Sequence, residues 1–375
     1  MLRRFEVKNF KNFNDWFYFD LSDVKDYQFN PECVENNIVS KSLIYGPNGC
    51  GKTNLGRAIF DIKTHLTDHK TNENYLSNYL HAGSNSKLAE FKFIFQFGND
   101  VLEYAYGKKS VDKLVYETVT INDKAVISLD RRKNNTAMVD LPGAENLNRD
   151  LGDSDISVVK YVKNNTVLTN NSLNITFELF FLFVNLMFLD RTIDSHNEIN
   201  ASKVSELILE KKGELSRFEN FLSEADVNCK LTTLDVDGDK RIALDFNGEK
   251  VDFFSISSTG TLSLANLYIS LLFLQSEIEI CRGKLGILPF IFIDEFDAFY
   301  HHSVSKLIVK QLRGLKCQAI LTTHNTSVMS NDLLRPDCYF FMSETNIKPM
   351  HRFTDKDLRK AHNIEKFYRT GACNG

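Results

Sequence analysis

The sequence predicts an α/β fold in which a phosphate-binding loop joins a buried parallel sheet to its helices, together with an antiparallel β-subdomain and a short helical insertion. Three observations carry that expectation. Residues 46–53 read Gly-Pro-Asn-Gly-Cys-Gly-Lys-Thr, a complete GxxxxGK(S/T) pattern between an apolar stretch and a helix-forming one. Residues 287–293 are an apolar run closed by Asp294 and Glu295, as in a strand buried on both faces. Residues 89–129 alternate apolar and polar side chains, with turn residues at Gly98-Asn99-Asp100 and Asn122-Asp123, which is the pattern of antiparallel strands.

The loop is flanked as its chemistry requires, with Ser42–Tyr45 reading as a short buried strand and Asn54–Ile62 as the start of a helix. Gly46, Gly49 and Gly51 let successive N–H groups point inward at phosphates, aided by the positive end of the following helix. Asn48, Gly49, Cys50, Gly51, Lys52 and Thr53 are therefore candidate nucleotide-binding residues. Lys52 would reach the β and γ phosphates and the Thr53 hydroxyl would ligate Mg2+. Asp294 is the second candidate for the Mg2+ shell, and Glu295 is placed to polarise an attacking water. A strand ending in Asp-Glu can also be one that enters a polar loop; the phosphate loop upstream favours the chemical alternative.

Residues 317–325 form another short apolar stretch that leads to His324, thirty positions after Asp294. A histidine at the carboxyl end of a strand beside the phosphate-loop strand can hydrogen-bond a γ phosphate. Taken alone, it reads as a surface or capping histidine. Residues 257–262, Ser-Ser-Thr-Gly-Thr-Leu, precede a helix expected over Ser263–Gln275. Ser258 and Gly260 at its mouth form a candidate second anion site, one that this chain's own phosphate loop does not need. The alternative is a plain helix cap.

In this order the four pieces resemble the ATP-binding-cassette type ATPases of the SMC-like branch. The Ser-Thr-Gly-Thr form at 258–261 and the opening stretch Leu2–Phe13 are similar to the OLD-like ATPases of abortive-infection and phage-defence systems, including the PARIS sensor ATPase and the AbiL and Septu types. The resemblance implies an ABC-type P-loop NTPase head that uses ATP and Mg2+. It implies a homodimer or higher homo-oligomer in which two heads sandwich two ATP molecules, each phosphate loop facing the other head's Ser258 and Gly260. Lys52, Glu295 and His324 would be the catalytic residues. Asp297 would touch the partner head, or is an exposed loop acid.

Nuclease-bearing OLD proteins carry a TOPRIM domain after the ATPase, whereas 51 residues follow His324 here. The expectation is an ATPase that acts as sensor or scaffold in anti-phage defence and controls a separate nuclease or toxin effector. The alternative is a DNA repair or maintenance ATPase that clamps DNA between its heads. A transporter subunit is disfavoured, because the signature departs from Leu-Ser-Gly-Gly-Gln. Gln96, inside the alternating Phe91–Phe97 run, is not assigned as a water-sensing glutamine.

Composition fits this class. The 375 residues, 43% of them hydrophobic, suffice for one large α/β domain with a subdomain. A net charge of −4 gives no global basic field for nucleic acid. Arg131-Arg132-Lys133 could still touch DNA but reads first as a solvated turn. Seven cysteines without a CxxC pair argue against zinc or a disulfide framework and for a reducing cytoplasm. The apolar run 175–189, interrupted by Glu178 and Asn185, is too short for a membrane span and reads as a buried helix. No amino-terminal signal is expected, because Phe5-Glu6-Val7-Lys8 breaks any apolar core there, and no membrane partner is implied.

The chain divides into an amino-terminal part of the head over 1–154, a helical insertion with a β-hairpin over 155–250, and the rest of the head over 251–375. Ser202–Leu222 is helical in pattern but lacks sustained heptads. Asp235-Val-Asp-Gly-Asp239 reads as a hairpin turn rather than a calcium loop, since Phe246 stands where the twelfth-position glutamate would be.

Overall fold

Strands without a polar face must be covered on both sides, and this chain gathers its own into a single sheet. The computed structural model describes residues 1–68, 78–191, 201–236, 238–282, 287–298 and 301–372. Among these, the central sheet runs in the order Met187–Arg191, Phe290–Asp294, Gln318–Thr322, Lys41–Tyr45, Tyr339–Met342 and Ile347–Pro349. All neighbours are parallel except the last pair. Every residue of Phe290–Asp294, Gln318–Thr322 and Lys41–Tyr45 is buried. The strand that feeds the phosphate loop thus lies beside the one that leads to His324, with Asp294 one strand further. Because the three are parallel, their carboxyl ends share one edge of the sheet, where α/β proteins bind ligands.

The apolar run 175–189, expected as one buried helix, divides in two. Ser172–Asn185 is a helix whose N-cap, Asn171, accepts a hydrogen bond from the Asn174 N–H. Met187–Arg191 is a strand parallel to Phe290–Asp294. Helix and strand here are both apolar, so periodicity does not separate them.

The seven-stranded second sheet has the order Met138–Val139, Lys124–Asp130, Lys113–Ile121, Asp100–Ser110, Ala89–Phe97, Leu2–Lys8 and Phe17–Asp20, all antiparallel. The alternation of Ala89–Phe97 is realised in full: Phe91, Phe93, Phe95 and Phe97 face inward. Phe95 meets Phe180 and Phe183 of the Ser172–Asn185 helix at ring separations of 5.3 Å. Each fully buried phenylalanine contributes about 1.5–3 kcal/mol of transfer free energy.

A buried polar network ties the segment after the phosphate-loop helix to this sheet. Lys108 Nζ lies 2.9 Å from Asp61 Oδ2, and neither side chain is exposed. Tyr79 and Tyr106 each donate to Asp61 at 3.0 Å. His65 Nε2 lies 2.8 Å from the Tyr104 hydroxyl, which donates to Glu117 at 3.0 Å. Burial holds the His65 pKa well below its ordinary value and raises that of Glu117.

The helical stretch expected over 202–222 is two helices, Ala201–Leu209 and Glu214–Glu224, the second opening at Gly213 with φ 83°. The hairpin at 235–239 joins Leu231–Val236 to Asp239–Phe246, and the Gly238 N–H donates to Asp235 at 3.0 Å. Arg131 donates to the carbonyls of Ser154 and Ile156, and Arg132 pairs with Asp130, so two of the three basic residues there brace a turn. No described helix is long and apolar enough to cross a membrane.

Candidate functional site

The loop at 46–51 takes its shape from glycine. Gly49 and Gly51 sit at φ 81° and 105°, where other residues are strained. A Cβ on Gly51 would lie 2.3 Å from Asn12 Nδ2, so the loop also needs the space. Gly51 opens the helix Lys52–Phe60, which lies close to the Asp294 strand: a Cβ on Gly56 would stand 2.7 Å from the Phe292 ring. Lys52 is buried, and its ammonium donates to the carbonyls of Gly46 at 2.8 Å and Pro47 at 3.2 Å. Burial lowers its pKa, opposed by Cys50, Asp294 and Glu295.

Across the sheet edge, four residues form one chain of hydrogen bonds. Thr53 Oγ1 donates to Asp294 Oδ2 at 2.7 Å, and Thr322 Oγ1 donates to Asp294 Oδ1 at 2.7 Å. The Thr322 oxygen in turn accepts from the Glu295 N–H at 2.8 Å. Glu295 has φ 50°, a left-handed conformation rare outside glycine. The next threonine repeats the device. Thr323 Oγ1 lies 2.7 and 2.8 Å from the two carboxylate oxygens of Asp297 and accepts from the Asn325 N–H at 2.9 Å. Burial raises the Asp297 pKa.

Asn48, Glu295, Asp297, His302, His324 and Arg369 line a cleft of about 640 Å³. Partial burial, and then Lys52, lower the His324 pKa, so its imidazole is neutral at neutral pH. A magnesium nucleotide fits this donor set. Thr53 and Asp294 are hard oxygen donors already in contact, and Mg2+ takes few protein ligands when phosphates supply others. Among the described residues, no group of three or more His, Cys, Asp or Glu could hold a metal on its own.

The structure therefore brings Asn48, Lys52, Thr53, Asp294, Glu295 and His324 to one edge of the sheet. It does not place Ser258 or Gly260 among the residues lining the cleft. The helix expected over Ser263–Gln275 begins four residues earlier and spans Thr259–Arg282. Ser258 is the reason: its hydroxyl accepts from the Thr261 N–H at 3.2 Å and lies 3.0 Å from Thr261 Oγ1, which caps the helix and draws Gly260 into the first turn. Gln96 donates to the Gly98 carbonyl and borders a small cavity with Met1 and Glu35, apart from the phosphate loop.

Sequence reasoning overlooked two supports. Thr322 joins both acids, and its only signal was a pair of hydroxyls before His324. Asn12 accepts from Asn54 Nδ2 at 2.7 Å and donates to the Cys50 carbonyl at 3.4 Å, bracing the loop from the amino-terminal turn.

No curated protein matches the chain. Among solved structures, the SMC head domain from Thermotoga maritima is similar with a TM-score of 0.44 at 15% identity, over 93% of this chain and 98% of that one. An SMC head bound to the C-winged helix domain of ScpA is similar with a TM-score of 0.49 at 15% identity, over 93% and 97%. The observed sheets, loop and helix make this a P-loop NTPase fold, mixed α/β with an antiparallel sheet, as the sequence led us to expect. The family profile described as "AAA domain, putative AbiEii toxin, Type IV TA system" matches residues 42–330, from the phosphate-loop strand to just past His324, and the chain belongs to that family.

Proposed function

We propose that this protein is the ATP-hydrolysing sensor or scaffold of a bacterial anti-phage system of the abortive-infection type, pairing its heads around ATP to control a separate nuclease or toxin. The observation that carries the hydrolytic part is the hydrogen-bonded chain Thr53, Asp294, Thr322, Glu295 beside Lys52. When bound, magnesium ATP supplies the terminal phosphoryl group and the cation that offsets its charge. Lys52 then exchanges the carbonyls of Gly46 and Pro47 for phosphate oxygens. Thr53 and Asp294 would hold the cation's shell, and Glu295 would take the proton of the attacking water. His324 would hydrogen-bond the terminal phosphate.

Ser258, exposed at the start of a 24-residue helix, suits contact with the nucleotide of a second head. The family description, which names a toxin of a Type IV system, supports the defence part. In a host carrying the native operon and challenged with phage, Lys52→Ala and Glu295→Gln each abolish protection. Protection by either variant contradicts a catalytic role.

A further inference from the structure

The carboxyl-terminal segment reaches the nucleotide cleft. Ile364–Phe367 form a short helix that continues into a turn over Tyr368–Ala372. Tyr368 stacks on Phe341 at 4.9 Å and 13°, and its ring lies 6.0 Å from Tyr45, the residue directly before the phosphate loop. That anchor sets the next residue, Arg369, in the lining of the cleft with Asn48, Glu295, Asp297 and His324.

The guanidinium is held in place. Arg369 Nη2 lies 2.7 Å from Glu365 Oε1 and donates to Thr326 Oγ1 at 3.0 Å, while Thr326 donates to Glu365 at 2.8 Å. Thr326 is two residues past His324, so this triangle also clamps the histidine's loop. Both arginine contacts use Nη2, and a guanidinium has five N–H donors. The Arg369 side chain is 67% exposed, which puts its charge in reach of whatever enters. An anion in the cleft meets the carboxylates of Glu295 and Asp297; Lys52 offsets them from the loop side, and Arg369 stands at the mouth.

We propose that Arg369 is a further anion-binding residue of the nucleotide site, meeting the terminal phosphate from the open side of the cleft and so distinguishing a nucleoside triphosphate from a diphosphate. This rests on the nucleotide-binding part of the proposed function and not on hydrolysis. The guanidinium fork matches a phosphate's oxygens, and its exposed pair with Glu365 is weak enough to be exchanged.

The test is equilibrium titration of the full chain with Mg2+ and fluorescent ADP or the fluorescent β,γ-imido analogue of ATP, which is not turned over. Arg369→Ala lowers the preference for triphosphate over diphosphate by about tenfold, the size of one charge-assisted hydrogen bond. Arg369→Lys keeps the charge but not the fork and recovers only part of the preference, with ADP affinity unchanged in both. A preference that Arg369→Ala leaves within about twofold of wild type, or equal weakening of both nucleotides, overturns the assignment. If the wild type binds neither nucleotide, the nucleotide-binding reading falls and this one with it. Binding by the wild type, lost in Lys52→Ala, with an unchanged preference in Arg369→Ala, overturns the Arg369 role alone.

Discussion

Replacing Thr322 by valine removes one oxygen, keeps the shape of the side chain and disturbs both acids of the cleft. The residue is fully buried; its hydroxyl donates to Asp294 at 2.7 Å and accepts from the Glu295 N–H at 2.8 Å. A hydrogen bond to a charged group contributes about 1.5–3 kcal/mol, and a buried N–H left without an acceptor costs about 1–3 kcal/mol. Asp294 keeps its bond from Thr53, and the two losses together come to about 2.5–6 kcal/mol of unfolding free energy.

Turnover suffers more directly. Glu295 holds φ 50°, a conformation that costs about 1–2 kcal/mol, and the Thr322 oxygen secures its N–H there. Released, the backbone relaxes and the carboxylate loses its aim. The account predicts a fall in kcat of about a hundredfold, or about 2.7 kcal/mol. The Kd for magnesium ATP stays within about threefold, because Lys52 and the loop N–H groups are untouched. Thr322→Ser restores the oxygen and most of the rate. Phosphate release and urea denaturation measure the two effects. A Thr322→Val enzyme with wild-type kcat, or an equal loss in Thr322→Ser, would refute the reasoning.

Two further predictions concern the network between the phosphate-loop segment and the antiparallel sheet. Lys108→Met removes the ammonium that lies 2.9 Å from buried Asp61 and costs about 3–5 kcal/mol in urea denaturation. Adding Asp61→Asn recovers part of that loss, and purely additive costs would show that the pair does not interact. Acid also weakens the fold through His65, which Tyr104 and Tyr106 contact and on which the charges of Lys108 and Lys160 act. Its folded pKa lies well below the ordinary 6.5, so below that pH the unfolded chain binds a proton that the folded chain does not. Stability therefore falls as pH drops below about 6.5, by up to about 1.4 kcal/mol per pH unit for each such group. His324 and His351 shift in the same direction, so His65→Gln flattens the acid limb without abolishing it; an unchanged slope contradicts the assignment.

The phosphate loop, Asp294, Glu295 and His324 were legible because their chemistry demands fixed residues at the ends of apolar strands, and local sequence carries both requirements. The alternation of Phe91 to Phe97 was legible for a similar reason, since one face is buried and the other is not. Met187–Arg191 was hidden inside an apolar run, where a buried helix and a buried strand have the same composition. Ser258 was visible as a residue at a helix mouth, but its choice of the Thr261 N–H, which lengthens the helix, depends on local geometry. Thr322, Asn12 and Arg369 act across sequence separations of 28, 38 and 43 residues, through contacts that only the folded chain creates.

The central claim is that this sheet edge hydrolyses ATP when two heads meet. It is tested most directly by magnesium-dependent phosphate release from purified protein over a range of concentrations, in wild type, Lys52→Ala and Glu295→Gln. The account predicts release by the wild type with a specific rate that rises with protein concentration. Neither variant releases phosphate, while Glu295→Gln still binds ATP. Undiminished release by Glu295→Gln, or a specific rate independent of concentration, would contradict it.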